Sequence, residues 1–224
     1  MTDQLRFRIL GCGSSGGVPR LGGNWGACDP NNPKNARTRC SLLVERQSKN
    51  GRTQVLIDTS QDMRAQLLQA QVGRLDAVLY THDHADHVHG LDDLRMIVFN
   101  RRSRLPVWAN QVTSAGLLSR FSYAFKQPEG SAYPPILQLN HIEGPVKVDG
   151  AGGQIEFTPR SSPPALAMSS SSTRTPSPCP VQARTVRHRT ARPCWPGCRT
   201  SVCSQWSTPF ASTSTRAPSA RMSA

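Results

Sequence analysis

The sequence predicts a layered α/β sandwich over residues 1–159, followed by a stretch, 160–224, that does not belong to it. Three observations carry this reading. Short apolar runs with strand alternation are interleaved with stretches at helical spacing as far as residue 157, a mixture of hairpins and strand–helix units. All 14 acidic residues lie before position 160. The last 65 residues hold 22 Ser/Thr, nine Pro and nine Arg, with no Lys, Ile, Tyr or Asn.

The elements follow in order. Residues 5–10 alternate apolar with basic side chains and run into the glycine-rich stretch Gly11-Cys12-Gly13-Ser14-Ser15-Gly16-Gly17, a strand leaving through a tight loop. Residues 41–45 and 54–57 read as short apolar strands on either side of a polar turn at 47–52. Ser60 is placed to cap a helix whose apolar face is Met63, Leu67, Leu68 and Val72. Residues 76–80 form a buried strand. Residues 91–99 read as a helix, 105–108 as a strand and 112–125 as another helix. Residues 136–142, 146–148 and 154–157 read as further strands.

The formal charge of +13 would suggest a nucleic-acid partner. Its distribution argues otherwise: residues 1–159 carry a net +4, and 160–224 carry +9 from arginine alone. Without lysine there, and with only Trp195, Trp206 and Phe210 as aromatics, nucleic acid is not an expected partner. Apolar runs such as 77–80 and 96–99 are far short of the roughly 18–20 residues of a membrane helix. No basic stretch followed by an apolar one opens the chain, so the expectation is a cytoplasmic protein whose seven cysteines are reduced thiols.

Two readings fit residues 160–224. One is a disordered basic tail with no core to offset chain entropy. The other, which the composition favours, is out-of-frame translation of a GC-rich gene. Taking the last base of each codon with the first two of the next, codons 205–211 permit M-V-D-A-L-R or V-V-D-A-L-R, an aspartate at the end of an apolar strand.

The chemistry concentrates in Thr81-His82-Asp83-His84-Ala85-Asp86-His87-Val88-His89-Gly90-Leu91. His82, His84, Asp86 and His87 stand within six residues directly after an apolar strand. Imidazole and carboxylate suit Zn²⁺ or a similar divalent ion. His82 and His84 form an i, i+2 pair on one side of the loop; Asp86 and His87 come from the turn that follows and can face a second ion. Two ions about 3.5–4 Å apart can hold a bridging hydroxide and clamp the attacking and leaving oxygens.

This H-x-H-x-D-H run resembles the signature of the metallo-β-lactamase fold superfamily. Leu56-Ile57-Asp58-Thr59 resembles that family's strand ending in an aspartate beside the metal loop. Residues 11–20, Arg37-Thr38-Arg39-Cys40-Ser41 and His87-x-x-Gly90-Leu91 resemble its phosphodiesterase branch, with the phosphoribosyl cyclic phosphate phosphodiesterases and ribonuclease Z. The resemblance implies an αββα four-layer sandwich, its C-terminal part missing or disordered here. It implies two divalent metal ions, zinc or alternatively manganese, the first on His82 and His84 and the second on Asp86 and His87. Asp86 and Asp58 are then the catalytic candidates, Asp86 as a ligand and Asp58 as the acceptor that orients a ligand histidine. The implied activity is hydrolysis of a cyclic or small phosphodiester by a metal-bridged hydroxide. The alternatives are thioester or lactam hydrolysis on the same fold, or nucleic-acid binding through the basic tail. The oligomeric state stays open, a homodimer included.

The family also uses a third histidine, a bridging aspartate and a final histidine. The third histidine is expected after the strand at 154–157, where Arg160-Ser161-Ser162 stands, and no Asp follows Asp149. This chain is therefore expected to be inactive as it stands. His141 reads as a strand residue, His89 as structural or facing the substrate, and Cys28 and Cys40 as buried thiols rather than zinc ligands. His188 has no assigned role.

Overall fold

A computed structural model of the chain describes residues 3–159. The expectations for 160–224, with Cys179, Cys194, Cys198, Cys203 and His188, lie outside the described residues. Eight strands and four α-helices follow in chain order: β1 (Gln4–Gly11), β2 (Ser41–Ser48), β3 (Gly51–Ile57), α1 (Met63–Ala70), β4 (Ala77–Leu79), α2 (Ala85–Val88), α3 (Leu94–Arg101), β5 (Leu105–Ala109), α4 (Gln111–Phe125), β6 (Leu137–His141), β7 (Val146–Val148) and β8 (Ile155–Phe157).

Strands β1 to β6 form one sheet in sequence order, antiparallel from β1 to β3 and parallel from β3 to β6. β7 and β8 form a separate antiparallel pair. The pleat splits the apolar residues of β2, β3, β4 and β5 between two cores. Leu43, Leu56, Val78, Val107 and Leu137 face the helical side with Met63, Leu94, Ile97 and Leu117. Val44, Val55, Ile57, Ala77 and Leu79 face the opposite side and pack with Val146, Val148, Ile155 and Phe157 of the small sheet. Helices, large sheet and small sheet are three successive layers of the αββα sandwich, in the order that resemblance implies.

Four local expectations change. The β2–β3 strands run further than their apolar runs, down to the Ser48–Gly51 pair, so the turn is only Lys49 and Asn50. Gly51 sits there at φ +140°, which a side chain would strain. Ser60 does not cap α1; Asp62 occupies that position, and its carboxylate accepts instead from the Arg39 amide and guanidinium at 2.8 and 3.0 Å. The Ser60 hydroxyl, two residues before Asp62, accepts from the Asp62 amide at 3.2 Å. Leu68 is 63% exposed, because the inward stripe of α1 is Met63, Gln66 and Leu67, and Leu68 lies one helical step beyond it. The helix expected over 91–99 is a 3₁₀ turn, Leu91–Asp93, running into α3. Among the described residues no helix is long and apolar enough to cross a membrane.

α4 starts where Asn110 accepts from the Thr113 amide at 2.8 Å, and it kinks at Phe121 (φ −129°, ψ 34°).

Candidate metal centre

β3 and β4 are parallel neighbours with Ile57 level with Leu79, so the residues that leave their C-terminal ends emerge side by side. Those residues are Asp58-Thr59 and Tyr80-Thr81-His82. Asp58 is fully buried and left-handed, at φ +61°. Aspartate tolerates that region better than most residues, yet the conformation costs on the order of 1–3 kcal/mol and needs fixing from outside. The fixing is visible on both sides. The Asp58 amide donates to the Leu79 carbonyl at 2.9 Å, the Thr59 amide to the His87 carbonyl at 2.7 Å, and the Gly90 amide to the Thr59 carbonyl at 2.9 Å.

The Asp58 carboxylate then organises the loop. Its Oδ1 accepts from the Thr81 amide at 2.8 Å. Its Oδ2 accepts from the Thr81 hydroxyl and from His87 Nδ1, each at 2.8 Å. Thr81 Oγ1 stands 2.9 Å from His82 Nδ1. On the far side of the buried His87 ring, Nε2 lies 3.4 Å from Asp86 Oδ2. The His82 ring centroid is 4.0 Å from that of His87 and 4.5 Å from that of His84. His82 and Asp86 are half-buried and His84 is exposed, so the group opens to solvent on one side.

Electrostatics separates the two inner imidazoles. Burial pushes the His82 pKa down, the neighbouring His87 and His84 add to that, and Asp58 and Asp86 only partly oppose it. Burial also acts to lower His87, but the hydrogen bond and charge of Asp58, with the charge of Asp86, outweigh it, and the pKa is raised. Beneath them Tyr80 is driven well above the usual phenol range by burial, and its hydroxyl pairs with the Thr59 hydroxyl at 2.8 Å.

The outer side of the loop rests on the kinked end of α4. Arg120 donates to the Asp83 carbonyl at 2.5 Å and pairs with the Asp83 carboxylate. Gly116 makes room, since a Cβ there would overlap that carboxylate. Phe121 packs edge-on against His89 at 5.7 Å, and Tyr123 donates to Asp92 at 2.6 Å. Gly90 is needed for close approach rather than for its dihedrals: a Cβ would overlap the Ser60 carbonyl oxygen.

The structure thus brings Asp58, His82, His84, Asp86 and His87 together. It leaves the exposed His141 at the end of β6, where Nδ1 meets the Ser114 hydroxyl at 3.3 Å, in the strand position expected. Cys40 is buried, its Sγ donating to the Gly13 carbonyl at 3.1 Å. Cys28 corrects the expectation: it is only half-buried, because it closes a surface turn onto the Trp25 carbonyl. Thr81, Gly116 and Arg120 are site residues that sequence reasoning missed. Only Thr81 left a signal, by directly preceding the histidines.

Three imidazoles and a carboxylate suit a divalent ion in kind, and the Nδ1 contacts of His82 and His87 are of the type that orients ligand histidines. Among the described residues, no three His, Cys, Asp or Glu side chains are arranged to hold an ion as they stand. The donor set fits in chemistry and falls short in number.

Residues 53–189 match the family described as "Beta-lactamase superfamily domain", a stretch running beyond the described residues. An octanoyltransferase of Porphyromonas gingivalis is 40% identical over 141 residues, which are 62% of this chain and 27% of that protein. A solved structure described as a new diphosphatase from the PhnP family is 32% identical, with a TM-score of 0.57, covering 70% of this chain and 56% of the other. Zn²⁺-bound PqqB from Methylobacterium extorquens is 21% identical at a TM-score of 0.51, with the same coverages of 70% and 56%, and bears on the fold alone. The chain spans little more than half the length of these structures and about a quarter of the transferase.

Proposed function

The chain belongs to the beta-lactamase superfamily, and from that premise we propose a metal-dependent hydrolase of small phosphodiesters, with His82, His84, Asp86 and His87 as metal ligands. The observation that carries the reading is the buried Asp58 carboxylate, which engages His87 directly and His82 by way of Thr81. The likeness to a diphosphatase at 32% identity supports phosphorus over carbonyl substrates. The octanoyltransferase carries less weight here, because the matched part is 27% of that protein.

In this reading, divalent ions supply Lewis acidity, lowering the pKa of water toward neutrality and offsetting charge that builds on phosphoryl oxygens. The protein's own residues do the positioning. Asp58 holds the His87 ring through Nδ1 and keeps the opposite nitrogen facing Asp86. The lowered pKa of His82 keeps it neutral and able to ligate near pH 7. His84 and Asp86, on the solvent side, leave the site open to an incoming substrate.

Residues 1–159 are read as the catalytic domain in incomplete form, and 160–224 as out-of-frame translation. Nucleic acid and membrane play no part. The test compares this chain with one read in the corrected frame, on bis(p-nitrophenyl) phosphate and on an acyl thioester, with Zn²⁺ or Mn²⁺. Metal-dependent phosphodiester cleavage by the corrected chain is expected. Thioester cleavage without phosphodiester cleavage overturns the reading.

A further inference from the structure

With Asp58 as a carboxylate and His82 as a neutral imidazole, the proton count around Asp58 has one consistent solution. Thr81 Oγ1 carries one proton and stands 2.8 Å from Asp58 Oδ2 and 2.9 Å from His82 Nδ1. A carboxylate only accepts, so the hydroxyl proton goes to Asp58. What Thr81 can offer His82 is then a lone pair, and a contact of 2.9 Å requires the proton to sit on His82 Nδ1. His87 is set the same way, its Nδ1–H donating to the same Oδ2 at 2.8 Å. Left to itself in water, a neutral imidazole prefers its proton on Nε2. The protein therefore holds His82 in the tautomer that solution disfavours, and the partner of one ring nitrogen decides what the other can do.

We propose that Thr81 is a positioning residue that relays Asp58 to His82 and fixes its Nδ1–H tautomer, leaving Nε2 as the nitrogen that can ligate. The proposal rests on the reading of His82 as a metal ligand. One buried carboxylate thereby prepares two histidines, His87 by contact and His82 through a hydroxyl. The Thr81 amide, which donates to Oδ1 of the same carboxylate, keeps the hydroxyl in register. Serine can do the same work; valine, of equal shape, cannot.

The experiment uses the full 224-residue chain, ¹⁵N-labelled at histidine and free of metal, at about pH 8, where unperturbed imidazole is neutral. Long-range ¹H–¹⁵N correlation reads the tautomer of each ring directly. In the unmodified chain and in Thr81→Ser, His82 is expected as Nδ1–H. In Thr81→Val, His82 alone should move to Nε2–H. Zn²⁺ titration by calorimetry should then be about 10- to 100-fold weaker for Thr81→Val and close to unchanged for Thr81→Ser. An Nε2–H tautomer at His82 in the unmodified chain overturns the proposal, and so does an unaltered tautomer in Thr81→Val. His82→Ala separates the two readings. Unchanged zinc affinity in that variant overturns the ligand assignment. Affinity lost in His82→Ala but kept in Thr81→Val overturns the role of Thr81 alone.

Discussion

Asp58 Oδ2 and His87 Nδ1 are 2.8 Å apart, and neither side chain is more than 2% exposed. The pair joins Asp58, just past the end of β3, to α2 itself, 29 residues on in the chain. It therefore ties together the sheet edge and the loop that carries the candidate ligands.

Asp58→Asn should show what that tie is worth. An amide keeps the shape but meets the Thr81 and His87 donors with only one acceptor oxygen, leaving a buried donor opposed. We expect a loss of about 3–5 kcal/mol in urea unfolding, the range for breaking a buried pair. Zinc binding should weaken about 10- to 100-fold. A variant as stable as the parent would show the network to be ornamental.

Gly90→Ala tests the close approach of the loop to the strand end. A methyl there overlaps the Ser60 carbonyl oxygen, and forcing the backbone apart should cost about 1–3 kcal/mol. Gly144→Ala, where a Cβ meets nothing within 4 Å, is the control and should shift stability by about 0.5 kcal/mol or less. Equal unfolding midpoints for both variants would contradict the geometry.

Tyr123 gives a pH signature away from the histidines. Burial, then the hydrogen bond and charge of Asp92, raise its pKa to about 12. A phenol whose folded pKa is raised contributes stability fully present below the unfolded value near 10, lost as pH climbs through the folded value. Ultraviolet titration should show a tyrosine ionising near pH 12 that Tyr123→Phe removes. A titration unaltered by Tyr123→Phe would refute the contact.

Metal content follows from the ligand count. Four residues shared between two ions give two apiece, whereas a catalytic zinc uses three protein ligands. Elemental analysis after dialysis should find less than one ion per chain. Two tightly held ions would mean that residues beyond 159 complete the site.

The reading frame is checked at the nucleotide level. A base gained or lost around codons 157–165 is expected, and restoring it should yield a histidine soon after residue 159 and D-A-L-R near 207–211. An unbroken frame through codon 189, where the family match ends, would overturn that account.

Legibility in the sequence tracks distance along the chain. His82, His84, Asp86 and His87 are readable because six consecutive residues hold the whole pattern, and β3 and β4 are readable because strands buried on both faces leave short unbroken apolar runs. Asp58 comes into view only through family likeness, since nothing local marks a strand-end aspartate. Arg120 and Gly116 give no signal at all: their partner Asp83 is 37 residues from Arg120, and the contact exists only once α4 has folded against the loop. Ser60 and Leu68 mislead for a related reason. Capping and amphipathic patterns describe an isolated helix, while Arg39 claims the Asp62 carboxylate and the core covers only the Met63, Gln66 and Leu67 face of α1.

The loop hangs between unlike supports. Inside, His87 and Thr81 are tied to Asp58 by buried hydrogen bonds that ions in solution barely reach. Outside, Asp83 and Arg120 meet with side chains 30% and 39% exposed, where added salt screens the attraction. Rising ionic strength should therefore slacken one end of the loop and spare the other, so that His84 gains motion while His87 keeps its place. The protein carries a soft outer histidine beside a hard inner one, and the difference is set by which carboxylate each side of the loop leans on.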